Sequence, residues 1–331
     1  MPAPPTLLER YRDLVARPGE DFPISLGEGG TPLIYARRLG LDMGLDQLFL
    51  KFEGTNPTGS FKDRGMVLAV TRALGAGARA VVCASTGNTA ASASAYAAAA
   101  GIPCFVVLPA GKVARGKLAQ ALAAGARLVM VDGNFDEALE AVRSLGEEGV
   151  AAVVNSINPD RLTGQQTAAW EICDALDRAP DALALPVGNA GNITAYWGGF
   201  VRYADARRIN ARPRMLGFQA QGAAPIVLGA PVAHPETVAT AIRIGNPASW
   251  SGAVAARDES GGAIEAVSDS EILEAQRDVV RLEGIFCEPA SAAGVAGVRR
   301  MAREGRVHRS EMVVSVLTGH GLKDPDAVDR L

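Results

Sequence analysis

The sequence predicts a two-lobed α/β protein whose sheets are doubly wound and mostly parallel. Short apolar or β-branched runs alternate with longer helical patterns, which is typical of βαβ units. Gly-rich segments fall repeatedly where a strand should end and a helix begin. A chain of 331 residues exceeds the usual size of one hydrophobic core, so we expect two lobes with a ligand in the cleft between them.

Strands and helices are expected in alternation along most of the chain. The predicted strands are residues 48–53, 80–84, 104–108, 127–131, 152–154, 183–187, 215–219 and 312–317. The predicted helices are residues 61–74, 89–100, 117–124, 135–148, 162–176 and 193–201. We place a small domain at residues 54–155, inserted into a large domain formed by residues 1–53 and 156–331.

The charge balance argues against a nucleic-acid partner, and the apolar pattern argues against a membrane span. The chain has 33 basic and 36 acidic residues, and no Lys/Arg cluster is interleaved with aromatic side chains. Its longest apolar stretch, residues 89–110, is interrupted by Gly101 and Pro103, so it predicts a helix and a strand instead of a membrane span. The N-terminus lacks the form of a signal peptide. We therefore expect a cytoplasmic protein that acts on a small molecule.

The cysteines and histidines predict neither disulfides nor a metal site. The cysteines form no Cys-x-x-Cys pair and mostly lie in apolar runs, as expected of buried thiols in a reducing cytoplasm. They are Cys83, Cys104, Cys173 and Cys287. The histidines are far apart and lack acidic partners at ligand spacing, so no metal is expected.

The segment at residues 54–65 brings a lysine to the start of a predicted helix. It begins like a phosphate loop, but a Walker motif needs Lys directly after the second glycine, and here Ser60-Phe61-Lys62 follows. A helix N-terminus and partial burial both disfavour the ammonium charge, which favours the free amine that a Schiff base needs. The alternative is a surface lysine beside Asp63 and Arg64.

Ser85-Thr86-Gly87-Asn88-Thr89 follows the second predicted strand. Its hydroxyls, its amide and its glycine suit a site for a carboxylate. The same residue types are also preferred helix caps, so plain capping is the alternative.

Gly188-Asn189-Ala190-Gly191-Asn192 connects a predicted strand to a helix. Backbone N–H groups without bulky side chains, backed by a helix dipole, can bind a phosphate. A tight structural turn is the alternative.

A further segment with polar side chains follows the last predicted strand. Thr318 either places a hydroxyl in the cleft or caps a turn, and His320 could be a residue that faces solvent.

The order of these segments resembles the fold-type II pyridoxal-phosphate enzymes, whose architecture is tryptophan synthase β-like. The stretches that match run over nearly the whole chain. They are residues 27–33, 56–66, 85–89, 154–159, 186–192, 239–247, 287–291 and 317–323. The residues in these stretches are similar to those of the lyases of threonine biosynthesis, which convert O-phospho-L-homoserine and water into L-threonine and phosphate. The resemblance therefore implies that reaction.

The resemblance implies roles around the cofactor, pyridoxal 5'-phosphate. Lys62 would hold it as the internal aldimine, a Schiff base, and would shuttle protons, with Phe61 near its ring. Asn88 would hydrogen-bond the phenolic oxygen, and the turn at 188–192 would cradle the phosphate. Thr318 would face the pyridine nitrogen and, being a hydroxyl in place of a carboxylate, would leave that nitrogen largely unprotonated.

The resemblance also implies a substrate site and a homodimer. The substrate residues would be Ser85, Thr86 and Thr89 for the carboxylate, and Asn155, Ser156 and Arg161 for the phosphate. A guanidinium pairs two phosphate oxygens at once, although Arg161 by its position alone reads as a surface residue at a helix start. Two rival functions remain: a dehydratase or cysteine synthase of the same fold, and a non-catalytic nucleotide-binding domain.

Overall fold

A computed structural model describes residues 4–110, 115–132, 135–156 and 158–330. Ile157, which falls in one of the matching stretches, lies outside the described residues. The chain divides into two compact units. Unit 1 is Met1–Gly29 with Asn56–Thr167, and unit 2 is Gly30–Thr55 with Ala168–Leu331. The domain bounds at residues 54 and 155 stay a prediction.

The strands and helices alternate as the sequence predicts. The strands are β1 (Leu33–Tyr35), β2 (Gln47–Phe52), β3 (Val81–Ala84), β4 (Cys104–Pro109), β5 (Arg127–Val131), β6 (Ala152–Val153), β7 (Ala182–Pro186), β8 (Arg214–Ala220), β9 (Ala263–Val267) and β10 (Met312–Leu317). The helices are α1 (Leu7–Arg10), α2 (Arg12–Val15), α3 (Arg37–Met43), α4 (Lys62–Gly75), α5 (Asn88–Ala99), α6 (Arg115–Ala123), α7 (Phe135–Glu147), α8 (Pro159–Leu176), α9 (Gly191–Asp205), α10 (Pro225–Leu228), α11 (Trp250–Glu259), α12 (Asp269–Glu283) and α13 (Pro289–Arg303). Short 3₁₀ turns lie at Glu53–Thr55, Thr240–Ile242, Gly321–Lys323 and Pro325–Arg330.

Unit 1 contains a parallel sheet with strand order β5-β4-β3-β6. Val82 and Val107 on its central strands pack against Ala138 and Val142 of α7. Every residue of β3 is buried, as expected for a strand of a parallel sheet that is covered on both faces. The carboxyl end of β3 leads directly into the segment Ser85–Thr89.

Two glycines let helices α4 and α8 approach closely within unit 1. A Cβ at Gly65 would lie 2.5 Å from the Arg161 carbonyl oxygen, and a Cβ at Gly164 would collide with the Arg64 carbonyl oxygen. Arg64 is fully buried beside this contact and donates from Nη1 to Thr167 Oγ1 at 3.2 Å. The contact fixes the helix that begins at Lys62.

Unit 2 contains a larger sheet with strand order β1-β2-β10-β7-β8-β9. All its neighbouring strands are parallel except β1, which is antiparallel to β2. Helix α12 begins with a capping box between Ser268 and Glu271, and α13 begins with Pro289 at its first position. Both helices contribute side chains to the main hydrophobic core of this unit.

The fold class is confirmed. Each predicted strand is present with its ends within one residue of the prediction, whereas β1 and β9 were not predicted. None of the helices in the described part of the chain is both long and apolar enough to cross a membrane.

Candidate functional site

Lys62 is the first residue of α4, as predicted. It is half-buried, and its Nζ lies 4.4 Å from the centroid of the Phe61 ring. Its backbone N–H donates to Ser60 Oγ at 3.4 Å. Asp63 and Arg64 are fully buried, so the two neighbours of Lys62 in the sequence are not surface residues.

Asp63 holds the loop that precedes Lys62. Its carboxylate accepts hydrogen bonds from Thr58 N at 2.7 Å and from Thr58 Oγ1 at 2.6 Å. Gly59, inside this loop, has φ +86°, a conformation that favours glycine. The acceptor role of Asp63 was not predicted from the sequence, where Asp63 counted only as a neighbour of Lys62.

The segment from Ser85 to Thr89 connects β3 to α5. Gly87 is the N-cap of α5 and makes no side-chain cap hydrogen bond. Ser85 Oγ instead accepts from the Gly87 N–H at 3.2 Å, inside the loop. The capping alternative is therefore wrong for this hydroxyl, which is bonded inside the loop and not to the first turn of α5.

Asn155 is buried beside the end of β3. Its Oδ1 accepts from Ala84 N at 3.0 Å and its Nδ2 donates to Ala84 O at 3.1 Å. Ser156 follows and is half-buried. The amide of Asn155 thus fixes the point at which β3 feeds the loop that begins at Ser85.

Arg161 is a buried cation, and its interpretation as a surface residue is wrong. It is 1% exposed, and its Nη1 donates to Val154 O at 3.1 Å. Within the described residues its Nε has no hydrogen-bond partner. Burial lowers the pKa of its guanidinium to about 10, with Asp63 and Cys83 acting in the opposite direction. Since about 10 is still well above neutral, Arg161 carries its charge at pH 7.

In unit 2 the turn at residues 188–192 connects β7 to α9. Ala190 has φ +64°, a strained conformation for a residue with a side chain, and a Cβ at Gly188 would lie 2.8 Å from Ile242 Cα. Asn192 is buried, and neither Nδ2 nor Oδ1 has a partner in the part of the chain that the structure describes. A backbone turn with glycines and an unsatisfied buried amide fits a phosphate group.

Asn189 holds the turn at residues 188–192 through hydrogen bonds to the segment before α11. Its Oδ1 accepts from Ala248 N at 2.7 Å, and its backbone oxygen accepts from Ser249 N at 3.2 Å. The side chain of Asn189 is therefore engaged within the protein, which leaves its backbone N–H as the group suited to a phosphate.

Thr318 follows β10 and is buried in a hydroxyl and carboxylate cluster. Its Oγ1 donates to Glu288 Oε1 at 3.0 Å and lies 3.1 Å from Ser291 Oγ. Neither Glu288 nor Ser291 was predicted individually from the sequence, although both lie in the matching stretch at residues 287–291. His320 is half-buried beside the rings of Phe52 and Phe286, and its Nδ1 accepts a hydrogen bond from Leu322 N at 3.2 Å.

The predicted residues fall in both units. Unit 1 contains Phe61, Lys62, Ser85, Thr86, Asn88, Thr89, Asn155, Ser156 and Arg161, and unit 2 contains the turn at 188–192 and Thr318. In unit 1, hydrogen bonds join Asn155 to the backbone of Ala84, at the end of β3, and Arg161 to the backbone of Val154, which follows the paired strand β6. Within the described ranges, no group of three or more His, Cys, Asp or Glu residues is placed to hold a metal ion.

Comparison with known proteins identifies the class. A family model described as pyridoxal-phosphate dependent enzyme matches residues 24–319. The processed form of threonine deaminase isoform 2 from Solanum lycopersicum has the same fold, with a TM-score of 0.78 at 22% identity over 91% of this chain and 81% of that chain. The chain is therefore a pyridoxal-phosphate-dependent enzyme, and the non-catalytic interpretation is wrong.

Relatives with a higher sequence identity show which family of pyridoxal-phosphate-dependent enzymes the chain belongs to. Threonine synthase of Mycobacterium tuberculosis is 57% identical over 323 residues, which are 97% of this chain and 89% of that protein. Threonine synthase of Methanocaldococcus jannaschii is 51% identical over 330 residues, 97% of this chain and 82% of that protein. The chain belongs to the threonine synthase family, whose members are pyridoxal-phosphate-dependent lyases of threonine biosynthesis.

Proposed function

We propose that this chain converts O-phospho-L-homoserine and water into L-threonine and phosphate, with pyridoxal 5'-phosphate bound covalently at Lys62. The buried cation of Arg161 carries the proposal. A buried charge is costly unless it is paired, and the described residues give this guanidinium only a carbonyl as hydrogen-bond partner. A phosphorylated substrate supplies an anion that Nε can bind, in addition to the charge of Asp63 nearby, whereas serine or threonine as substrate does not.

The cofactor residues are proposed from their local geometry. Lys62 provides the amine for the covalent link, next to Phe61, and Asn88 at the start of α5 provides an amide for the phenolic oxygen. The backbone of Gly188, Asn189, Ala190 and Gly191, with the unsatisfied amide of Asn192, holds the phosphate. Thr318 is assigned to the pyridine nitrogen.

When bound, the cofactor supplies an electron sink that acidifies hydrogens on the substrate. Lys62 Nζ accepts the proton from the α-carbon and serves as the base and acid for the protons that the β- and γ-carbons lose and gain. Phosphate leaves from the γ-carbon and water adds at the β-carbon. The hydroxyls of Ser85, Thr86 and Thr89, with the N-terminus of α5, orient the substrate carboxylate.

Ser156 and Arg161 bind the phosphate of the substrate. Asn155 stands beside them as a positioning residue, because both atoms of its amide are bonded to Ala84. We also propose that the protein works as a homodimer in the cytoplasm, which sedimentation of the holoenzyme and fractionation of cells would test.

The activity is tested with the purified holoenzyme. We expect O-phosphohomoserine to give threonine and phosphate in equal amounts, and deamination of serine or threonine alone would overturn the proposal. Lys62→Ala should abolish the linkage that borohydride fixes, while the control Lys323→Ala should retain it. A linkage that survives in Lys62→Ala would move the cofactor to another lysine.

The role of Arg161 needs a binding measurement. Arg161→Gln should weaken inhibition by inorganic phosphate and raise KM by about 10- to 100-fold, because a charge-assisted hydrogen bond is lost. Arg309→Gln, which changes an exposed arginine, is the matched control. An unchanged KM in Arg161→Gln would contradict the assignment.

A further inference from the structure

A cavity of about 440 Å³ lies in unit 1, between the last turns of α7, the strand β6 and the start of α8. Ala151, Ala152 and Val153 give it an apolar side. Arg143 and Glu147 give it one charge of each sign. Its volume is in the range of pockets that bind small molecules, and its lining contains none of the residues assigned above to the cofactor or the substrate.

The two charged side chains of this cavity are available to a ligand. Arg143 and Glu147 lie four residues apart on α7, so they are on the same face of the helix. Both are exposed, and among the described residues neither has an ion-pair partner. A pair with the basic residue on the N-terminal side is the weaker order for an ion pair along a helix. A cation and an anion therefore stand one helical turn apart without neutralising each other.

The edge strand β6 adds a backbone donor to the cavity. Val154 N donates to Val82 O at 3.0 Å, on the side of β3. Successive N–H groups of a strand point to opposite sides, so the N–H of Val153 points to the open edge of the sheet. On that edge the Val153 carbonyl accepts from Asn158 Nδ2 at 2.9 Å. The Val153 N–H thus adds a donor on the same wall of the cavity.

We propose that this cavity binds a free α-amino acid with an aliphatic side chain. Arg143 and the Val153 N–H bind its carboxylate, and Glu147 binds its ammonium group. The side chain of the ligand contacts Ala151 and Ala152. The ligand needs both charges, because Glu147 would repel an inorganic anion and a neutral sugar would leave both charged side chains without a partner.

Asn158 connects the cavity to the residues proposed for the substrate phosphate. Its N–H donates to Asn155 O at 3.0 Å, and its carbonyl accepts from Arg161 N at 3.1 Å. A ligand that contacts this wall of the cavity therefore acts on the segment that carries Arg161. This consequence rests on the proposed function: a saturating amino acid should change the KM for O-phosphohomoserine by about 5-fold or more and leave kcat unchanged.

Binding is measured on holoenzyme treated with borohydride, which fixes the cofactor so that an amino acid cannot exchange onto it. Equilibrium dialysis with labelled L-valine should show one site per chain. Two analogues test the need for both charges. 3-Methylbutanoate lacks the ammonium group and isobutylamine lacks the carboxylate, and each should bind at least about 10-fold more weakly, because a hydrogen bond between charged groups is lost.

Variants of the exposed residues test the site without disturbing the core. Arg143→Gln and Glu147→Gln should each weaken the binding of L-valine by about 10-fold. Arg79→Gln and Glu148→Gln change exposed residues of the same unit outside the cavity and should leave the binding unchanged.

The outcomes separate this proposal from the proposed function. If treated holoenzyme does not bind L-valine, or if both cavity variants bind it as well as the controls do, the site is overturned. L-Valine that binds without changing KM overturns the connection through Asn158. Absence of threonine formation overturns the proposed function alone, because valine binding is measured without turnover.

Discussion

The side-chain amide of Asn155 holds the backbone of Ala84 through two hydrogen bonds, one accepted by Oδ1 and one donated by Nδ2. Ala84 is the last residue of β3, and the next residue, Ser85, begins the segment proposed to bind the substrate carboxylate. The effect of Asn155 on the substrate is therefore indirect. It sets where a loop starts.

Replacement of Asn155 should affect both stability and substrate binding. Asn155→Ala leaves the Ala84 N–H and C=O without their partners, and we expect a loss of about 1–3 kcal/mol in the free energy of unfolding. The KM for O-phosphohomoserine should rise because the loop at Ser85 is no longer held. Denaturant unfolding and steady-state kinetics measure the two effects. Asn210→Ala, at an exposed position, is the control, and an equal response of both variants would contradict this role.

The contact between α4 and α8 predicts that alanine is not tolerated at Gly65 or Gly164. Either Cβ would meet a backbone carbonyl oxygen, which cannot move aside as a flexible side chain can. We expect each substitution to cost about 1–3 kcal/mol, measured by urea unfolding. Gly75→Ala adds a Cβ with nothing within 4 Å and should be neutral or slightly stabilising. Equal stability of the three variants would show that the helices can separate.

Stability at acidic pH should depend on Arg72 and Glu20. Burial alone would raise the pKa of Glu20, but hydrogen bonds from Arg72 and from the Arg17 N–H hold this pKa below its ordinary value. Because the pKa of Glu20 is lower in the folded protein, its carboxylate stabilises the fold at every pH above its ordinary pKa of 4.5. This stabilisation is lost as the pH falls through the lowered pKa.

Arg72→Gln should therefore reduce the free energy of unfolding at pH 7 by about 1–3 kcal/mol, and the difference from wild type should shrink as the pH falls below about 4. Thermal unfolding between pH 3 and 7 gives the comparison. Arg309→Gln breaks an exposed ion pair with Asp46 and should cost at most about 1 kcal/mol. A constant difference across the pH range would contradict the coupling to Glu20.

The cysteines should be inert in the folded protein. All four thiols are free and buried. Burial raises the pKa of Cys173 and of Cys287 to about 12, whereas a hydrogen bond with Cys83 lowers the pKa of Cys104, which only its burial protects. A thiolate is the reactive form, so we expect almost no reaction of Cys173 and Cys287 with a thiol reagent at pH 8, and slow reaction of Cys104. After denaturation all four should react. Rapid labelling of the native protein would show that unit 1 or unit 2 opens locally.

Much of the fold could be predicted because its strands are short, mostly apolar runs that alternate with longer helical patterns. The strands that were missed have other causes. β1 has only three residues and is partly exposed, and β9 is only partly buried and has no run of valine or isoleucine. Helix α12 carries a readable start signal, Ser268 followed by Glu271, which the sequence analysis did not use.

The residues of the candidate site could be predicted from the sequence better than the side chains and backbone groups that they contact. The backbone position of Lys62 at a helix start follows from local sequence, since turn formers precede it. The burial of Arg161 does not, because it depends on packing between segments far apart in the chain. The same holds for Glu288 and Thr318, which are thirty residues apart and meet only through the pairing of distant elements.

The strand that is synthesised last, β10, lies in the interior of the sheet of unit 2. β10 lies between β2 and β7, so a nascent chain keeps two open strand edges in unit 2 until Leu317 has left the ribosome. The sheet of unit 1 needs nothing beyond Val153. Synthesis therefore passes through a long interval in which one sheet is complete and the other is split, and a premature stop before Met312 would leave a product suited to aggregation.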